Sequence, residues 1–208
     1  MIAIVDYGVG NLFSLKCSFA AIGVEVQITC DREILEKADG IILPGVGAFD
    51  DAAKKLRESG IADLLRQLVE KGKPLMGICL GMQLLFDESH EYGVHEGLGI
   101  IKGKVKCISE FAPAEYKIPQ IGWNLLRFPK PSPLFKYIKE GDYVYFVHSY
   151  CACECDDAII AYTEYGAKIT AAVQYKNVFG CQFHPEKSGE VGLKVLKAFS
   201  EMREGRLC

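Results

Sequence analysis

The chain lacks any apolar run approaching the roughly 18 residues needed to cross a bilayer as a helix, which argues against a membrane span. Its first residues, MIAIVDYG, carry no basic stretch followed by a long apolar one, so no secretory signal is expected. Positive charge is not in excess either. The 24 Lys and Arg against 27 Asp and Glu give a formal charge of -3, and no basic stripe stands out to follow a nucleic-acid backbone. Internal repeats, low-complexity tracts and linkers are also missing, and 208 residues suit a single domain spanning 1–208. Cysteine is plentiful, at positions 17, 30, 79, 107, 151, 153, 155, 181 and 208, but no C-x-x-C pair occurs. The cluster Cys151-Ala152-Cys153-Glu154-Cys155 therefore matches structural zinc spacing poorly, and neither a metal nor a cofactor is expected. A cytoplasmic, reducing compartment follows, in which most of these thiols serve as small core hydrophobes.

What is present alternates between two periods. Ile2–Asp6, Val24–Ile28, Gly40–Leu43 and Pro74–Cys79 read as buried strands. Between them lie amphipathic stretches at Leu12–Ile22, Asp31–Lys37 and Ala48–Lys71, the last with a possible break near Gly60. Beyond about Gly99 the runs Lys104–Ile108, Tyr143–His148, Ile159–Thr163, Thr170–Gln174 and Val178–Phe183 are separated by turns. Ser188–Glu204 closes the chain as a helix with Val191, Val195, Leu196 and Phe199 on one face. The expected fold is α/β and flavodoxin-like: a mostly parallel sheet flanked by helices, with additional antiparallel strands in the C-terminal half. The turn Gly8-Val9-Gly10 lacks the third glycine of a dinucleotide fingerprint, and Glu25 lies too near to be its ribose acid. The loop should still face the ligand end of the sheet.

Two motifs carry chemistry. Gly77-Ile78-Cys79-Leu80-Gly81 is a G-x-nucleophile-x-G elbow with cysteine as nucleophile, followed by a helical pattern through Met82, Leu84, Leu85 and Phe86. A helix starting there favours the thiolate, supplies the Leu80 N–H as an oxyanion donor, and puts Gln83 on the nucleophile's face. The second motif, Phe183-His184-Pro185-Glu186, ends a strand with a base and a carboxylate two residues on, as cysteine catalysis requires.

The motifs G-I-C-L-G-M-Q and F-H-P-E resemble the class I (triad) glutamine amidotransferases. Asp6–Asn11, Pro44-Gly45-Val46-Gly47-Ala48-Phe49, Lys117–Asn124 and Tyr145–Tyr150 narrow the likeness to the glutaminase subunits of imidazole glycerol phosphate synthases. The resemblance implies that Cys79 attacks the carboxamide of glutamine, His184 protonates departing ammonia and Glu186 orients it. It implies a second oxyanion donor at Val46, whose N–H turns inward only when a (β/α)8 cyclase partner is loaded. It further implies backbone contacts to glutamine at Gly47, Ser149 and Tyr150, an ammonium contact at Glu91, and a cyclase-facing surface at Asn11, Trp123, Tyr145 and Lys187. Trp123, in a polar-flanked turn, could equally be core. Gln120 stands where this group commonly has histidine. Three readings compete: a paralogous glutaminase feeding a sugar amidotransferase, a binding subunit without turnover, and a thiol peptidase or stress protein. The intact Cys79, His184 and Glu186 weigh against the second, and the Pro44–Gly47 loop and the spacing of Glu186 against the third.

Overall fold

The alternating runs of the N-terminal half fold into strands and helices close to the expected bounds. The structure, a computed structural model, describes residues 1–202. In order these are β1 (Ile2–Val5), α1 (Leu12–Ala21), β2 (Val26–Thr29), α2 (Arg32–Lys37), β3 (Gly40–Gly45), α3 (Phe49–Glu58), α4 (Ile61–Glu70) and β4 (Leu75–Cys79). Asp31 caps α2 by accepting the N–H groups of Glu33 and Ile34, two of the donors a helix start leaves unpaired. Ala48–Lys71 is two helices because Gly60, at φ 71, turns the chain between α3 and α4. A single-turn α5 (Leu80–Gln83) follows β4.

The second half supplies β5 (Glu88–Ser89), β6 (His95–Glu96), β7 (Lys104–Cys107), β8 (Gln120–Leu125), β9 (Tyr143–His148), β10 (Tyr150–Cys153), β11 (Ile159–Glu164), β12 (Lys168–Tyr175), β13 (Val178–Cys181) and α6 (Gly189–Ser200). The main sheet runs β11-β12-β13-β4-β3-β1-β2. Its five strands from β2 to β13 are parallel, in the flavodoxin-like order, and β12 and β11 add an antiparallel edge. Two small sheets, β10-β7-β5-β6 and the β8–β9 hairpin pair, hold the remaining strands. Both faces of the main sheet are covered. Leu35, Phe49, Leu56 and Leu65 pack from α2, α3 and α4, and Phe19, Leu196 and Phe199 pack from α1 and α6. No helix among the described residues is long and apolar enough to cross a membrane.

Several expectations are corrected. The helical pattern after Cys79 stops at Gln83, because the N–H groups of Leu98, Ile100 and Ile101 take the carbonyls of Leu84 and Leu85 that would continue it. The segment Leu84–Phe86 is buried on every side and has no polar face to present to water. Trp123 lies in β8 rather than in a turn. The closing helix ends at Ser200; Glu204 and Cys208 lie outside the described residues. Cys79, Cys151, Cys155 and Cys181 are buried, whereas Cys17 and Cys30 are exposed and Cys107 and Cys153 lie between. Core packing thus accounts for half of the eight described thiols rather than most.

The ligand end of the sheet is closed by backbone against backbone. A Cβ built on Gly81 would stand 1.9 Å from the Leu43 carbonyl oxygen, and one on Gly77 would stand 2.5 Å from that of Gly81. Gly60, by contrast, faces open space. Gly81→Ala is expected to cost about 3 kcal/mol or more through forced displacement, lowering the thermal midpoint by about 6–12 °C for a domain of this size. Gly60→Ala should cost only about 1 kcal/mol from its positive φ. Equal losses in thermal unfolding would contradict this ranking.

Candidate active site

Cys79 ends β4 at φ 54, ψ -113, a conformation that side chains other than glycine rarely adopt and that costs about 1–3 kcal/mol. The strain lifts the residue out of the strand direction at the sheet's C-terminal edge. Because α5 is one turn long, the helix contributes little field there, and stabilisation of the sulfur must come from nearby donors.

β13 lies parallel to β4, with Cys181 opposite Ile78, so the residues following both strands emerge side by side. This places His184 beside Cys79 on the wall of one cavity, close enough for the thiol to act on its imidazole. His184 Nδ1 is 2.8 Å from Glu186 Oε1, and both side chains are buried. A carboxylate only accepts, so Nδ1 carries the proton and Nε2 is left for the sulfur. Burial alone would lower the His184 imidazole; its hydrogen bonds to Cys79 and Glu186, with their charges, outweigh burial and raise it to about 9. Glu186 Oε2 is buried without a hydrogen-bond partner among the described residues.

Cys79 and His184 open into a cavity of about 300 Å³ bordered by Val46, Gly47, Leu80, Gln83 and Glu91 on one side. Ser149, Tyr150 and Lys187 border the other. All the residues expected to hold substrate therefore converge here. Gln83 is buried and donates to both the Tyr150 carbonyl and Gln182 Oε1, each at 3.0 Å, so it is not on a helix surface. Glu91 Oε2 accepts the Phe49 N–H at 2.6 Å. That contact supplies the cap that Ala48 cannot give α3 and fixes the carboxylate at the cavity wall. A second cavity, of about 360 Å³, is bordered by Cys151, Cys153, Lys130 and Lys168, and no histidine borders it to serve as a base.

Trp123 is 53% exposed, which removes the core alternative. It pairs directly with Tyr145 across β8 and β9, the rings edge to face at 6.1 Å. Lys187 Nζ lies 6.0 Å from the Tyr145 ring centre, so these three form a continuous strip beside the cavity. Asn11 stands apart from this strip, at the N-terminus of α1, which packs beside the turn Pro185–Lys187.

Three polar residues escaped the sequence reading. Ser188 Oγ accepts the Tyr145 N–H at 2.9 Å and donates to the His184 carbonyl at 2.6 Å, while the His184 N–H donates to the Tyr145 carbonyl at 3.0 Å. His148 Nδ1 is 2.8 Å from the Tyr150 carbonyl. Burial, against that hydrogen bond and with the nearby His184 charge, lowers the His148 imidazole to about 4 and keeps it neutral. Gln182, fully buried, places Nε2 3.7 Å from Cys79 Sγ. The available signal was a polar side chain inside or ending an apolar strand, as at Gln182 in Val178–Phe183 and at His148 in Tyr143–His148.

The opposite shifts of the two histidines set a pH dependence. His184, raised from 6.5 to about 9, contributes stability in full below pH 6.5 and loses it as pH rises toward 9. Glu186→Gln removes one support of the imidazolium. The His184 titration followed by NMR should therefore move down, and the stability advantage of the wild type should shrink between pH 6.5 and 9. An unmoved titration would contradict the coupling.

The Glutamine amidotransferase class-I family matches residues 3–201. The chain is 51% identical over 203 residues to the imidazole glycerol phosphate synthase subunit HisH of Caldanaerobacter subterraneus subsp. tengcongensis, covering 97% of this chain and 98% of that protein. It is 48% identical over 209 residues to the protein of the same name from Geobacillus kaustophilus, covering 99% of each. A crystal structure described as a glutamine amidotransferase superposes with a TM-score of 0.74 at 22% identity, over 96% of this chain and 99% of that one. PurLQS from Thermotoga maritima gives 0.74 at 23%, over 95% and 96%. At those identities the two structures speak for the fold alone. The sequence match extends from β1 to the end of α6 and takes in the elbow at Cys79 and the His184 turn, and on that footing the chain belongs to the class-I glutamine amidotransferase family.

Proposed function

We propose that this chain is the glutaminase subunit of an imidazole glycerol phosphate synthase, working in the cytoplasm beside a cyclase partner of (β/α)8 architecture in histidine biosynthesis. As a class-I amidotransferase it is a glutamine-hydrolysing enzyme. The observation that carries the reading is the Cys79–His184–Glu186 contact in a chain about half identical, over nearly its full length, to proteins of that name.

Cys79 sulfur forms a bond to the carboxamide carbon of glutamine, and the electron pair of the C=O moves onto oxygen. Leu80 N–H and Val46 N–H receive that oxyanion; one such donor is worth about 3 kcal/mol of barrier. His184 gives its proton to the nitrogen as the C–N bond breaks, leaving a thioester and free ammonia. Water then attacks the thioester with His184 as base, releasing glutamate and the Cys79 thiolate. Glu186 holds the imidazole in the required tautomer throughout. Gly47, Ser149, Tyr150 and Gln83 seat the substrate, and the Glu91 carboxylate pairs with its ammonium.

Val46, 45% exposed beside Gly47 at φ 91, is free of close packing on its outer side. In this account its N–H faces the oxyanion only when the loaded cyclase is docked, so glutamine is spared when no acceptor is present. The strip Trp123–Tyr145–Lys187, with Asn11, forms the docking face. No relative named above favours the sugar-amidating alternative.

Mixing the chain with a candidate cyclase and measuring glutamate release tests this. Slow hydrolysis alone, rising at least tenfold with partner and nucleotide ligand together, is expected. Vigorous hydrolysis by the isolated chain, unchanged by the partner, would contradict the assignment. Trp123→Ala should weaken docking by about tenfold or more without lowering maximal turnover at saturating partner; an unchanged affinity would remove Trp123 from the interface.

A further inference from the structure

Gln182 belongs neither to the triad nor to the residues assigned to substrate. It follows β13, is wholly buried, and is anchored by its own N–H on the Ala171 carbonyl at 2.8 Å. A buried primary amide costs about 1–3 kcal/mol unless its donors and acceptor are met. Its partners here are two: Gln83 on the oxygen and Cys79 sulfur on the nitrogen.

The orientation of this amide is set by a group that cannot turn over. The Tyr150 carbonyl only accepts, so Gln83 must present its NH2 there, at 3.0 Å. The same NH2 then reaches Gln182, which must offer its oxygen, again at 3.0 Å. The Gln182 NH2 is thereby directed at Cys79 Sγ, 3.7 Å away. The relay runs from a backbone carbonyl in the substrate-seating strand β10 through two amides to the nucleophile. A neutral thiol is a weak acceptor and a thiolate a strong one, so the contact strengthens when the proton leaves.

We propose that Gln182 is a further catalytic residue, a fixed N–H donor that holds Cys79 as thiolate facing the cavity. Gln182 transfers no proton; His184 takes it. The donor supports the sulfur anion before attack and again when the thioester carbon–sulfur bond breaks and the electron pair returns to sulfur. It fills the role left open by the brevity of α5, whose single turn offers little field. This rests on the glutaminase reading.

The test is alkylation by iodoacetamide, followed at Cys79 by peptide mass across pH, in wild type and Gln182→Met, with glutamine hydrolysis measured alongside. The near-isosteric methionine removes the donor. Alkylation of Cys79 should slow by about tenfold at pH 7. If the wild type hydrolyses glutamine and the variant keeps the wild-type alkylation profile, the role of Gln182 is refuted while the glutaminase reading stands. If the wild type neither hydrolyses glutamine nor alkylates at Cys79, both fall. Should Gln182→Met fail to fold, NMR on the wild type decides. The Gln182 side-chain amide resonance should shift on alkylation of Cys79 and with the pH profile of its reactivity, and a static resonance overturns the proposal.

Discussion

The close approach of the β3 backbone to the turn after β4 is the constraint on which this site depends. A Cβ on Gly45 would stand 2.6 Å from the Gly81 nitrogen, and those on Gly77 and Gly81 would meet carbonyl oxygens still closer. Only glycine fits at these positions. Their absence of side chains lets the chain reverse within one residue, and that residue is Cys79 at φ 54. The fold thereby holds a strained Cys79 in place with packed parallel strands on both sides, β3 and β13 flanking β4.

Once the elbow exists, the rest is a matter of which strand ends lie beside it. Parallel pairing of β13 with β4 delivers His184, and the following turn brings Glu186 back onto it. The exposed strip Trp123–Tyr145–Lys187 is tied to the same turn by three hydrogen bonds among Tyr145, His184 and Ser188. β9 thus reaches from the exposed aromatic pair Trp123–Tyr145 to the backbone of His184. Electrostatics separates the two histidines of the cavity. His184 has a carboxylate and a thiol for partners and is raised; His148 is lowered by burial, which with the nearby His184 charge outweighs its hydrogen bond to the Tyr150 carbonyl. Near neutral pH the first holds a proton that it can give and the second does not.

Much of this was legible in the residues. The parallel strands announced themselves as short apolar runs, and the elbow and the His184 turn as glycines and a proline around a nucleophile and a base. What was hidden depended on distant partners. α5 looked longer because Leu84–Phe86 continues a helical pattern, and only the segment from Leu98 to Ile101 claims its carbonyls. β8 was missed because Gly122 and Asn124 weaken its strand character, so Trp123 was placed in a turn. Core packing was expected for most of the cysteines because composition cannot say which face of α1, or which end of β2, meets water, and Cys17 and Cys30 are exposed there. Gln83, Gln182 and Tyr150 come from three separate stretches, and the amide relay exists only where they meet.

The central claim is that Cys79, among nine cysteines, is the sulfur that bonds to glutamine carbon. Incubation with a diazoketone analogue of glutamine, followed by intact-mass and peptide analysis, addresses it directly. A single adduct per chain, confined to the peptide containing Gly77–Gln83 and suppressed by excess glutamine, is the result this account predicts. An adduct on any other thiol, or labelling of Cys79 that glutamine does not suppress, would contradict it.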